Sequence, residues 1–84
     1  MGDHEVVRVV SDAWRSVLDI EGELTGQDFF ELGGDSLTAV ALVERIKTDL
    51  GIDIPLEVIF FDGRLSTVVK ICVERLAARH VSVD

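Results

Sequence analysis

Within this 84-residue chain, the stretch Phe29-Phe30-Glu31-Leu32-Gly33-Gly34-Asp35-Ser36-Leu37 holds the residues best suited to chemistry. Two glycines in a row permit a tight turn that no side chain obstructs. Asp35 is of a type that caps helices by accepting a hydrogen bond from the first turn. Ser36 then falls in that first turn with its hydroxyl pointing outward. A phosphate joined there would lie near the positive end of the helix dipole and its unpaired amides. The segment therefore suits covalent attachment of a phosphorylated group. Gly33-Gly34-Asp35-Ser36 also makes an ordinary loop and cap, so these four residues alone leave both readings open.

The elements that must position Ser36 are helices. From about Asp3 to Asp19, Val6, Val7, Val10, Ala13, Trp14, Val17 and Leu18 recur at helical spacing, with Arg8, Asp12, Arg15 and Ser16 opposite. Asp3 is the expected N-cap. A loop follows to Asp35, for which Leu24, one of the two phenylalanines and Leu32 are the expected anchors. The second helix is expected over Ser36–Leu50, with Gly51 at its C-terminal cap. Ala39, Leu42, Val43, Ile46 and Leu50 form its core stripe, while Leu37, Val40 and Ala41 fall on the other side. Ile52-Asp53-Ile54 should be extended, because a residue before proline avoids helical angles. Pro55 can open a short helix through Leu56, Val58, Ile59 and Phe60. After Asp62-Gly63-Arg64 a last helix is expected from about Leu65 to Arg79, with Leu65, Val68, Val69, Cys72, Val73 and Leu76 on one face. The expected fold is all-α.

Composition narrows the function. At 48% hydrophobic and 29% charged the chain should fold, but its length allows only one small domain, which shifts the expectation from enzyme to binding or carrier module. Sixteen acids against eight bases leave a net charge of −8, which repels nucleic-acid phosphates and acidic lipid headgroups. No apolar run is long enough to span a membrane, and the N-terminus lacks a basic leader, so the expected setting is the cytoplasm. The lone Cys72 forms no internal disulfide and no multi-cysteine metal site, and is expected to be a buried small apolar residue. No metal site is expected.

Phe29-x-x-Leu32-Gly33-Gly34-Asp35-Ser36-Leu37 resembles the attachment site of the phosphopantetheine carrier proteins (peptidyl and acyl carrier proteins) of thiotemplate biosynthesis. The resemblance extends from about Val6 to Leu76. It includes a helix ahead of a long loop, Leu-Gly-Ile-Asp-Ile-Pro-Leu after the second helix, and Phe60 before the last. It implies a bundle of three major helices plus a short third one, with a carrier core at about residues 6–79 of a single domain. It implies that Ser36 receives phosphopantetheine from coenzyme A through a Mg-dependent phosphopantetheinyl transferase, supported by Leu32, Gly33, Gly34, Asp35 and Leu37. The terminal thiol would carry acyl or aminoacyl groups as thioesters, and the protein itself would catalyse nothing. Further partners would be an adenylation enzyme or acyltransferase, then condensation, tailoring or thioesterase enzymes. A monomer is expected. Where the family usually has Pro-Thr before the last helix, this chain has Gly63-Arg64.

Subtype and rivals follow from particular residues. Fatty-acid carriers typically place an acid two residues after the serine and lack the paired glycines. Here Gly33-Gly34 and Thr38, with Glu44 and Asp49 balanced by Arg45 and Lys47, favour the peptidyl type over a polyketide or fatty-acyl carrier. The Met1 start and the short tail after the last helix suggest a discrete carrier. Gly34-Asp35-Ser36-Leu37 is also the tetrapeptide that names a family of serine esterases. Those enzymes need an oxyanion-hole Asn and a His base, whereas this chain has no Asn and carries His4 and His80 only near its ends. An unmodified helical interaction module is the stronger rival. Leu37, Val40 and Ala41, with Phe61, are expected to form a patch for docking partner enzymes.

Overall fold

A computed structural model describes residues 2–22 and 28–81. Four helices follow in order: α1 (Asp3–Leu18), α2 (Ser36–Leu50), α3 (Leu56–Phe61) and α4 (Leu65–Val81). No strand occurs among the described residues. The fold is the expected all-α arrangement of three long helices and a short third one. Helix α1 packs against both α2 and α4, and α3 packs on α2.

Helix α1 starts differently from its sequence reading. Asp3 is not its N-cap but its first helical residue, and Gly2 stands at the cap without any side-chain hydrogen bond. The Gly2 carbonyl accepts from the Glu5 and Val6 N–H groups. Asp3 and Glu5 instead meet the dipole from within the first turn, where acids are favoured. Val6, Val10, Ala13 and Trp14 are buried as expected, but Val7 is 40% exposed. It borders an apolar groove between α1 and α4, also lined by Leu65, Val69 and Val73, that neither helix fills.

Helix α2 has the predicted limits and ends in Gly51 with φ +70°, a left-handed cap whose N–H donates to the Lys47 carbonyl. Ala39, Leu42, Ile46 and Leu50 are buried and Val43 half-buried. The extended link that follows buries Ile52 and Ile54 and exposes Asp53 between them. Pro55 is the N-cap of α3 rather than its first residue, and α3 runs one residue further than expected, to Phe61. Helix α4 runs two residues past its expected end, to Val81.

Phe29 and Leu32 anchor the loop ahead of α2 as expected, Phe29 fully buried and Leu32 half-buried against the core. Leu24 lies outside the described residues. Cys72 is fully buried in α4, where loss of hydration pushes its thiol up to about 11. Trp14 is fully buried and meets the Phe29 ring edge-on at 5.2 Å.

Candidate functional site

The turn that delivers Ser36 is braced before it is bent. Asp28 and Glu31 exchange hydrogen bonds: the Glu31 N–H donates to Asp28 Oδ1 at 2.8 Å, and the Asp28 N–H donates to Glu31 Oε1 at 3.1 Å. The Leu32 N–H then reaches the Asp28 carbonyl, and the Gly33 N–H reaches that of Phe30. Asp-x-x-Glu is the spacing of a capping box, so a local signal for this brace is present in the sequence, inside a stretch whose composition reads as loop.

The two glycines serve different needs. Gly33 has φ +107°, a conformation that side chains strain, in otherwise open space. Gly34 has ordinary angles but no room: a Cβ there would run into the Phe29 ring and sit 2.8 Å from the Phe29 carbonyl oxygen. The Gly34 N–H donates to that same carbonyl at 3.0 Å. On its other side, the Phe29 N–H donates to the Gly63 carbonyl at 2.8 Å. Phe29 thus ties the turn before α2 to the break before α4.

Asp35 caps α2 as the sequence suggested, and Thr38 completes the box. Asp35 Oδ1 accepts from the Thr38 N–H at 2.9 Å, and the Asp35 N–H donates to Thr38 Oγ1 at 2.7 Å. The backbone N–H of Thr38 chiefly, then its hydroxyl, hold the Asp35 carboxyl below the usual carboxylate range. Ser36, first residue of the helix, is exposed, and Leu37 is 82% exposed.

These features fit a phosphorylated group on Ser36 Oγ. Ser36 faces solvent, the preceding Gly33 leaves open space, and a 15-residue helix directs its positive end toward the serine. The Asp35 charge would oppose a phosphate, but hydrogen bonds from the first turn already engage it. An esterase would need an oxyanion-hole asparagine, which the sequence lacks, and among the described side chains the histidine, His4, is exposed on the first turn of α1.

Of the remaining predicted site residues, Leu32 to Leu37 form one continuous turn and helix start, with Leu32 facing the core. Val40 is 45% exposed, Ala41 is exposed, and Phe61 on α3 is 94% exposed. Sequence reasoning did not foresee the contact of Phe60, which is 48% exposed and stacks on Phe30. Nothing local signals that contact, because its partners lie on different elements. The Gly63-Arg64 departure also has its explanation. Gly63 is buried, and a Cβ there would come within 2.9 Å of the Ile59 carbonyl. Asp62 supports the start of α4, accepting from the Arg64 N–H at 3.4 Å and the Thr67 hydroxyl at 3.0 Å.

No helix of the described residues is long and apolar enough to cross a membrane. Among known proteins, the chain is 39% identical over 57 residues to bacitracin synthase 3 of Bacillus licheniformis, matching 68% of this chain and 1% of that one. It is 37% identical over 57 residues to surfactin synthase subunit 1 of Bacillus subtilis (strain 168), matching 68% of this chain and 2% of that one. The chain therefore spans only a small fraction of the length of these relatives. Its fold is similar to a chain in the solved structure of the phosphopantetheine transferase Sfp in complex with coenzyme A and a peptidyl carrier protein. That match has a TM-score of 0.78 and 24% identity, covering 83% of this chain and 91% of the other. The family described as phosphopantetheine attachment site matches residues 8–72, more than half of the sequence. With the fold, the capped turn and this match in agreement, the chain belongs to the phosphopantetheine attachment-site family, whose covalently held cofactor is phosphopantetheine.

Proposed function

We propose that this chain is a carrier domain of the peptidyl type, modified on Ser36 Oγ by a phosphopantetheinyl transferase that uses coenzyme A. The observation that carries the reading is the placement of Ser36: exposed at the first position of α2, directly after a turn fixed by Phe29, Gly34 and the Asp35–Thr38 box. When attached, the group supplies a terminal thiol on a flexible arm that holds aminoacyl or acyl cargo as a thioester. The chain's own residues display the hydroxyl and hold it at the helix start, and the chemistry is done by other enzymes. Thr38 is accounted for by the capping box, so the peptidyl assignment draws its support from the similarity to the bacitracin and surfactin synthases.

Leu37, Val40, Ala41 and Phe61 serve as the docking patch, since their exposure leaves apolar area for a partner to bury. The partners are the transferase first, then adenylation or acyltransferase, condensation, tailoring and thioesterase enzymes. The carrier unit is one domain with its core at about residues 6–79, acting as a cytoplasmic monomer.

The test is incubation of the unmodified chain with a transferase of broad carrier specificity and coenzyme A, followed by intact-mass measurement. One phosphopantetheinyl addition is expected, and Ser36→Ala should abolish it without changing the helical circular-dichroism signal. A folded wild-type chain that gains no mass would refute the proposal and favour an unmodified interaction module.

A further inference from the structure

Helix α3 is held to the core by few side chains. It is six residues long, Pro55 gives it no side-chain cap, and Ile59 is its only fully buried residue. A helix this short has no stability in isolation, so tertiary contacts must set its placement. Ile59 fixes how deep α3 sits. Leu56 and Val58 are only half-buried, so contacts at the rim of the helix share in setting its roll about the axis.

One such rim contact comes from the turn ahead of Ser36. The Phe30 ring meets the Phe29 ring edge-on, with centroids 5.6 Å apart and an interplanar angle of 89°. On its other side Phe30 stacks on Phe60 of α3 at 5.4 Å and 14°. Successive helical residues differ by about 100° in direction. Holding Phe60 against Phe30 therefore turns the neighbouring Phe61 outward, where it is 94% exposed. The Phe29 N–H, bonded to the Gly63 carbonyl, secures the far end of α3 to the same turn.

We infer that Phe30 is a positioning residue for partner recognition: its stack on Phe60 sets where Phe61 stands relative to Ser36. Ser36 and Phe61 lie on separate elements, and an enzyme that engages both reads their spacing. The Phe30–Phe60 pair makes that spacing a fixed property of the free carrier, at no cost in ordering when the partner docks. This inference rests on the reading of Ser36 as the attachment residue and Phe61 as a docking residue.

The experiment measures phosphopantetheinylation of the full chain by a transferase of broad carrier specificity at varied carrier concentration. Phe30→Ala should raise KM for the carrier roughly five-fold and leave kcat within about two-fold, because a lost aromatic pair loosens binding and not the chemical step. Phe30→Tyr, which keeps the stack, should restore the wild-type KM. In a Phe61→Ala background, itself raised in KM, Phe30→Ala should add almost nothing, since its effect passes through Phe61. Emission from Trp14, buried against Phe29, should stay as in the wild type and report an intact core. Should Phe30→Ala disturb that emission, Phe60→Ala on the half-exposed side of the pair carries the same expectation. An unchanged KM in both variants, or penalties that multiply in the Phe61→Ala background, would overturn the inference. A wild-type chain that accepts no group would instead defeat the attachment reading beneath it.

Discussion

The turn before α2 and the break before α4 are built from the same parts and differ in what they expose. Each sets an aspartate and a glycine ahead of a long helix, and each glycine lies against Phe29. Gly34 donates to the Phe29 carbonyl, while Gly63 accepts from the Phe29 N–H. The capping differs. Asp35 and Thr38 bond reciprocally, so the α2 start is satisfied within four residues and Ser36 and Leu37 project free of it. Asp62 reaches forward to Thr67, while Gly63 is buried and Leu65 half-buried, so one side of the α4 start is tied into the bundle. A serine follows in both cases, and both Ser36 and Ser66 are exposed. What differs is the apolar neighbour: Leu37 beside Ser36 projects into solvent, whereas Leu65 beside Ser66 packs against the core.

The largest effect should come from removing the residue the two junctions share. Phe29→Ala deletes a fully buried ring and should cost about 3–5 kcal/mol, read from denaturant midpoints. A loss below about 1 kcal/mol would show that the two junctions are held independently of it. Next come the glycines taken singly. Gly34→Ala should fall near the upper end of the roughly 1–3 kcal/mol typical of overpacking, because its Cβ meets both ring and backbone. Gly63→Ala should fall lower in the same range of about 1–3 kcal/mol, because only the Ile59 carbonyl lies in close conflict. Equal costs would erase this difference between the junctions.

The smallest effect concerns the closed cap of α2 and its acid. The Asp35 carboxyl is held below its ordinary value, so it contributes stability that is complete above the unfolded-state pKa and is lost as pH falls through the lower folded-state pKa. Urea midpoints taken between about pH 6 and pH 3 should therefore fall less in Asp35→Asn than in the wild type. Thr38→Val keeps the backbone donor and loses the hydroxyl, so its decline should lie between those two. A wild-type slope in Asp35→Asn would mean that the box contributes nothing through its charge.

How much of this was legible in the sequence depends on how far apart the partners lie. Helix periodicity located α2 to the residue and α4 to within two, because amphipathic spacing is repeated along each helix. The outward Ser36 and the Asp35 cap were legible because a cap acts over three residues. The Asp28–Glu31 brace is equally local, but the surrounding acids and glycines mask it as loop. Gly34 was assigned a turn role, whereas its constraint is the Phe29 ring, a matter of packing that no spacing encodes. The Phe30–Phe60 stack joins residues thirty apart through the bundle. Val7 lies on the correct arc of α1, yet its exposure depends on a groove that only the placement of α4 creates.

The exposure of Ser36 has a consequence for information. A substituent on an outward hydroxyl at the helix start gains at most the dipole contribution, about 0.3–1 kcal/mol, and displaces no packed neighbour. A ligand shifts a conformational equilibrium only through differential contacts with its states. On the proposed attachment at Ser36, the packing around the serine offers a substituent no buried contact through which to shift the bundle. Enzymes acting in turn on such a carrier would then have to read the stage of the work from the arm and its cargo, and the order of events would be written in the partners.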